Sequence, residues 1–344
     1  MKGRVIALGE IAGRDVAALM VDGQLEDLAL EFDGLAPGAI LRGVVGRPVK
    51  GLGGVFVDLP DAQRGFLRQP KGLAPGQCIL VQVSGVAESG KAIPLVQRLL
   101  FKSRYAIVTP GAPGLNVSRS IRDTEVREML EGLATGGMEG AGSDLGLILR
   151  SACDAVEPDE IAEDIAQMRA LAEAVLNDVQ GAPELLVDAP GPHEQAWRDW
   201  GDVDEVDTSE TALDHSGALD QIEGLARAQA PLGGGASMMI EPTRALIAVD
   251  VNTGSDTSPA AGLKANLSAA RDLPRQLRLR GLGGIVIIDF APFPKRDRHV
   301  IEQVLGKAFR ADPGEANLAG WTPLGSFELT RKRDRVPVKT WLQA

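Results

Sequence analysis

The sequence predicts a multidomain α+β protein, and three patterns predict it. Residues 5–33 read as a short β-meander. From Gly38 to about Pro94, short apolar runs are separated by glycine and proline, which suits a small barrel of OB-fold length. From about residue 217 the order becomes helix, strand, strand, helix, strand, helix, consistent with an α/β or α+β layer. A chain of 344 residues is long enough for two or three such domains with proper cores.

Within the meander the strands are Val5–Leu8 and Asp15–Val21, with a turn at Asp22-Gly23. The barrel strands are Ala39–Val45, Gly54–Leu59, Gly65–Leu67 and Cys78–Ser84. Residues 123–133 have helical spacing behind Asp123, a suitable N-cap. Gly146–Arg150 reads as a strand, and residues 158–179 as a helix with an acidic outer face. The polar stretch 189–216 lacks periodicity and reads as a linker or shortened connection.

A hydrophobic content of 44% with 24% charge is ordinary for a globular protein. No apolar run approaches a membrane span and the first residues lack a signal-peptide core, so a cytoplasmic protein is expected. Cys78 and Cys153 are isolated, which suits neither a zinc knuckle nor a disulfide framework. The net charge of −11 argues against a protein that coats nucleic acid. It hides an asymmetry: residues 151–223 hold 20 acidic and 2 basic side chains, whereas residues 264–344 hold 15 basic and 8 acidic. Either a basic surface is confined to the C-terminal part, or the charges simply solvate helix faces.

Two runs in that part carry the chemistry. Ala248-Val-Asp-Val-Asn-Thr-Gly254 and Ile285-Val-Ile-Ile-Asp-Phe290 each read as a buried strand delivering a carboxylate to its end. Neighbouring strands of one sheet would set Asp250 and Asp289 side by side. Between them, residues 266–280 form a helix with a cationic face. Paired carboxylates hold a hard divalent cation through oxygen, and arginines hold phosphate, which together suggest metal-assisted attack on a phosphodiester. The competing reading is that strand-end Asp and Asn merely cap the turn before Thr253-Gly254.

These residues resemble the bacterial ribonuclease E/G family. The likeness is carried by Glu241–Gly254, Asn266–Arg271, Arg275–Arg280, Gly283–Phe290 and the arginine-rich Glu328–Arg333. Upstream it continues through Val55–Leu59, Arg64–Leu67, Gly90-Lys91, Arg104–Pro110 and Val117–Ile121, in one order from about residue 1 to 335. The resemblance implies an RNase H-like subdomain (1–35, remainder and linker 181–222) interrupted by an OB-fold barrel (36–101) and a 5′-sensor (102–180). A DNase I-like catalytic subdomain (223–344) follows. It implies a cytoplasmic endoribonuclease of RNA processing or decay that cuts single-stranded, AU-rich RNA and leaves 5′-phosphate products.

By the match, Asp250 and Asp289 are the Mg²⁺ ligands, and Asn252 is catalytic beside them. Magnesium suits this, because it favours oxygen, keeps its waters and neutralises phosphate charge. Phe56 and Phe66 would stack on unpaired bases, with Lys91 beside them, although a one-residue register shift would bury either ring. Arg275 and Arg278 share a helix face and Arg280 lies elsewhere; with Arg331 and Arg333 they are RNA contacts by the match. For the three helix arginines, salt bridges to the acidic middle region are the alternative. Arg150-Ser151 aligns with a pair that grips a 5′-monophosphate, the alternative being a strand-end arginine in an ion pair.

The chain departs from the family at several points. Pro274 replaces a helix former, so the helix is expected to bend or restart there. Arg244 stands where an acidic residue is usual. The segment from about 189 to 222 is short, with His193–Asp199 as its remnant, and no Cys-x-x-Cys follows the catalytic part, so a zinc-linked dimer is not expected. A compact Mg²⁺-dependent endoribonuclease is the leading reading. An RNA-binding or regulatory paralogue with weak or no cleavage is the second, and an rRNA-processing factor the third.

Overall fold

In a computed structural model, which describes residues 2–49, 51, 53–69, 72–154 and 156–343, the meander is present as expected. Strands β1 (Arg4–Ile11), β2 (Arg14–Val21) and β3 (Gln24–Leu30) pair antiparallel. Both connections are two-residue turns, Ala12-Gly13 and Asp22-Gly23, with φ of 53, 75, 49 and 79°. Such turns match the twist of the flanking strands. Backbone contacts divide the chain into two compact units, one of residues 32–201 and one of residues 1–31 with 202–344.

The unit of residues 32–201 begins with a closed barrel. Strands β4 (Ile40–Val49), β5 (Gly54–Asp58), β6 (Arg64–Arg68), β7 (Cys78–Val83) and β8 (Ile93–Val96) run in the order β4-β5-β6-β8-β7, and β7 pairs back onto β4. Val55, Val57, Leu67 and Val81 fill the interior. Gly65 is required by close approach, since a Cβ there would lie 2.1 Å from Leu95. The closing strand β8 was not expected, because Pro94 breaks its sequence pattern.

Next, β9 (Phe101–Lys102), β10 (Ala106–Pro110), β11 (Gly114–Val117) and β12 (Leu145–Leu149) form a sheet in the order β11-β12-β10-β9. Helices α1 (Thr124–Gly137) and α2 (Pro158–Asn177) cover it, burying Leu130, Ile161 and Ile165 on Leu147 and Leu149. Asp123 caps α1 as expected, accepting from the N–H groups of Glu125 and Val126. Strand β13 (Glu184–Val187) adds to β4, where buried Arg42 holds Asp178 and Glu184. The expected linker is instead ordered: it opens with helix α3 (Pro192–Asp199).

In the other unit, β14 (Glu205–Asp207) lies parallel to β1, and α4 (Ala212–His215) and α5 (Ala218–Gly224) pack on the same sheet through Leu213 and Ile222. A six-stranded sheet follows. Strands β15 (Gln229–Gly233), β16 (Ala236–Pro242), β17 (Ile247–Asn252), β18 (Gly284–Asp289), β19 (Ala316–Trp321) and β20 (Phe327–Arg331) take the order β15-β16-β17-β18-β20-β19. Helix α6 (Pro259–Leu279) makes the parallel crossover from β17 to β18, and α7 (Arg298–Ala311) packs beside it. Ala265, Ala269, Leu273 and Leu277 of α6 meet Val249, Val286 and Ile288 of the sheet. Helix α6 does not restart at Pro274, which is buried inside one continuous helix. The last helix is α8 (Val338–Trp341), and among the described residues no helix is long and apolar enough to cross a membrane.

Candidate functional site

Asp250 and Asp289 are Cα partners at the ends of the parallel strands β17 and β18. The expectation of fully buried strands needs correction, however. Ile247, Val249, Val251, Val286 and Ile288 face the helices, while Asp250, Asn252 and Asp289 lie on the opposite face and are exposed. Strand alternation puts all three on that face, because one helical layer covers only one side of the sheet. Asn252 donates from Nδ2 to Oδ2 of Asp250 at 2.8 Å. Asn252 therefore orients a carboxylate as well as ending a strand.

Two backbone features hold this edge. Gly254 has φ +75°, and a Cβ there would fall 2.5 Å from the carbonyl oxygen of Gly235. The chain leaving β18 is fixed by Asn266, which is fully buried in α6. Its amide donates to the Ala291 carbonyl and accepts from the Ala291 N–H, each at 2.9 Å. Asn266 was read only as part of a motif; an asparagine on the buried face of an otherwise apolar helix was the available signal.

No group of three or more His, Cys, Asp or Glu able to hold a metal occurs among the described residues. The donor set at β17 and β18 is thus two carboxylates with one amide. Hard oxygens of this number fit a cation that retains water and takes its other ligands from phosphate.

The arginines expected to contact RNA are placed elsewhere. Arg275 donates to Asp272 and to the Leu25 carbonyl, both at 2.7 Å. Arg278 donates to the Glu26 carboxylate at 2.6 Å and pairs with Asp312, which also receives Arg331 at 2.8 Å. Arg280 donates to the carbonyls of Leu225 and Arg227, and burial lowers its pKa to about 10. For Arg278, Arg280 and Arg331 the surface role is corrected: all three are buried and donate to internal acceptors, although Nε of Arg278 and Nη1 of Arg331 have no hydrogen-bond partner. Arg333 is half-buried with its guanidinium against Gly284. The C-terminal excess of positive charge therefore makes less basic surface than its count suggests.

Basic side chains do follow Asp289. Lys295, Arg296 and His299 are exposed, and the Arg298 guanidinium lies 4.8 Å from the centre of the half-buried Trp321 ring. Trp321 in turn packs on Phe290 at 5.6 Å, the residue after Asp289. Lys295-Arg-Asp-Arg-His299 was visible as a basic run but was not singled out.

On the barrel, the register settles the orientation of both phenylalanines. Phe56 and Phe66 are cross-strand partners with rings 5.4 Å apart, on the outer side opposite buried Val55, Val57 and Leu67. Arg64 and Arg68 share that side of β6 and are exposed. Lys91 is exposed two residues before β8 and pairs with Glu88 at 2.5 Å. Phe56→Ala with Phe66→Ala is expected to weaken single-stranded RNA binding by about 1–3 kcal/mol for each base lost. A filter-binding titration reads this, and unchanged affinity in a folded double variant would remove the stacking role.

Arg150 directly follows β12 but does not present a free fork. Its Nη1 donates to the carbonyls of Ser103, Arg104 and Arg198 at 2.5, 3.2 and 2.8 Å, and its Nη2 to Asp199 at 2.8 Å. Ser151 is exposed beside it. Burial opposes the charge on Asp199, but hydrogen bonds and charges from Arg198 and Lys102 outweigh it and hold the carboxyl at about 2. A carboxyl depressed on folding stabilises the native state above its unfolded pKa and loses that contribution as pH falls through the folded value. Asp199→Asn should therefore be less stable than wild type by about 2 kcal/mol at pH 6. The difference should shrink between pH 4 and 2 in denaturant titrations; a constant difference would contradict the assignment.

The model of the Ribonuclease E/G family matches residues 101–212 and 201–334. Ribonuclease E of Nostoc sp. is 29% identical, with 92% of this chain and 54% of that protein covered. Ribonuclease E of Synechocystis sp. is 28% identical over 92% and 55%, and Ribonuclease G of Salmonella typhimurium 27% over 88% and 74%. The chain thus spans about half the length of these Ribonuclease E relatives. With family-model matches over more than half of its residues, including both aspartate strands, the chain belongs to the ribonuclease E/G family.

Proposed function

We propose that this protein is an endoribonuclease that cleaves single-stranded RNA at Asp250 and Asp289. The observation that carries this reading is the in-register placement of two exposed carboxylates on adjacent parallel strands, one of them hydrogen-bonded by Asn252. The names of the relatives support an RNA substrate.

In this reading Asp250 and Asp289 would hold Mg²⁺, which would supply charge neutralisation at the phosphate and a water of lowered pKa. Asn252 keeps Asp250 oriented and leaves its other lone pairs for the cation. Water attacks phosphorus, the P–O3′ bond breaks, and the phosphate stays on the downstream fragment as a 5′-phosphate. The attacking water's proton goes to solvent, and the departing 3′-oxygen takes one from solvent, which leaves a 3′-hydroxyl on the upstream fragment. The exposed sheet face admits an extended strand; on the barrel, taken by itself, Phe56 and Phe66 would take unpaired bases and Arg64 and Arg68 phosphates. AU-rich segments satisfy this need because they pair weakly. The β1–β3 sheet with β14 is read as the RNase H-like part, and the six-stranded sheet as the DNase I-like part.

A binding protein that cleaves little is the second reading, favoured by the internal use of the arginines on α6 and β20. One experiment separates the two: an AU-rich oligonucleotide incubated with and without Mg²⁺. Cleavage that stops on chelation supports the enzyme, whereas binding with no cleavage at any Mg²⁺ concentration overturns it.

A further inference from the structure

We propose that Arg298, held on the face of Trp321, grips a phosphate of the RNA strand close to the one that is cut. This rests on the reading of Asp250 and Asp289 as the centre of an RNA site, and it extends that site along the carboxyl edge of the six-stranded sheet.

A guanidinium withdrawn from water needs acceptors, and its neighbours in this unit have them. Arg275, Arg278, Arg280, Arg331 and Arg335 each donate to a carbonyl or carboxylate of the same unit. Arg298, the first residue of α7, is also half-buried. Among the described residues, however, it makes neither a hydrogen bond nor an ion pair, and its Nε is buried without an acceptor. The acceptor that the fold withholds is left for a ligand to supply.

What fixes Arg298 is an aromatic surface. Its guanidinium lies 4.8 Å from the centre of the Trp321 ring, and a Cβ on Gly325, in the β19–β20 turn, would fall 3.3 Å from its Nη2. Stacking of this kind orients a guanidinium without neutralising it, because the ring offers a quadrupole and not a lone pair. A planar fork held in place with its charge unmet suits capture of a phosphate. The surroundings have the same sign. Lys295, Arg296 and His299 are exposed, and the first turn of α7 carries no acidic side chain. Cations at that end oppose the helix dipole, so an arriving anion relieves a repulsion.

The sheet register ties this arginine to the aspartates. Trp321 pairs with Phe327, and Phe327 with Ile288, the residue before Asp289. Two strand spacings put Trp321 about 10 Å from β18. Trp321 also packs on Phe290 at 5.6 Å and on Phe293 at 5.8 Å, both in the segment that leaves Asp289 for α7. Trp321 lies against the helix-side core while the aspartates lie on the open face. A strand that meets both therefore passes over the carboxyl edge of the sheet.

Binding of a single-stranded oligonucleotide is measured against salt concentration, with chelator present so that no strand is cut. Arg298→Gln should reduce the slope of log affinity against log salt by about 0.7, the value for one phosphate contact on a single strand. At low salt its affinity should fall about tenfold, the worth of one charge-assisted hydrogen bond. Arg298→Lys should keep the slope and still bind more weakly than wild type, because the charge remains and the fork is gone. Arg298→Gln should melt within about 2 °C of wild type, since no internal partner is lost. With Mg²⁺ restored it should raise KM about tenfold and leave kcat within about threefold, unlike a change at Asp250. An unchanged salt slope in Arg298→Gln overturns the proposal. A wild type that binds but does not cut defeats the enzyme reading alone, and the slope still decides for Arg298. A wild type that binds no single-stranded RNA overturns both.

Discussion

Asp250→Asn is expected to reduce cleavage on the order of 10³-fold, the scale of losing one stabiliser of developing charge at the reacting phosphate. The substitution is well suited to separate chemistry from folding. Asp250 is exposed on the open face of the sheet, and the new amide oxygen still accepts from Asn252. Stability should stay within about 0.5 kcal/mol of wild type, as for surface changes. Asp289→Asn should behave alike, since the two residues occupy equivalent register positions. If both hold one cation, as proposed, the double variant should be little worse than either single one. Single-turnover cleavage and urea unfolding on the same preparations measure both quantities. If either variant cuts within threefold of wild type, the two aspartates are not the reacting centre.

Arg278→Ala should produce the opposite profile, a folding defect with no direct effect on RNA. The Asp312 side chain is 1% exposed, and those of Arg331 and Arg278 are 2% and 6% exposed. Removing one partner from such a group leaves charge buried without compensation, which costs about 3–5 kcal/mol. For a unit of this size the melting temperature should drop on the order of 10 °C. Arg278→Lys should not restore it, because a point ammonium cannot reach Asp312, Glu26 and the Glu26 carbonyl together. A variant that melts like wild type but binds RNA with a weaker salt dependence would return Arg278 to the RNA surface.

The contrast between these residues shows which features are local. Asp250 and Asp289 were legible because each ends a run of β-branched residues, and strand periodicity is a local property. The α1 cap at Asp123 and the Asp22-Gly23 turn were legible for the same reason. Strand β8 was not, because Pro94 is a breaker in sequence and an acceptable residue where it pairs beside Phe66. The stretch 189–216 was not, because α3 and β14 are too short to show a period.

By itself, then, the sequence determined the family, the meander, most of the barrel, and the two carboxylates with the asparagine between them. Only the tertiary structure decided what each charged side chain does. An arginine reads the same in sequence whether it meets RNA, as proposed for Arg64 and Arg68, or a buried carboxylate, as Arg278 and Arg331 do. The difference lies in residues far away along the chain: Asp312 and Glu26 for Arg278, and Asp199 for Arg150. Burial makes such pairing obligatory, because a guanidinium taken from water must find acceptors, and folding alone brings those acceptors within reach.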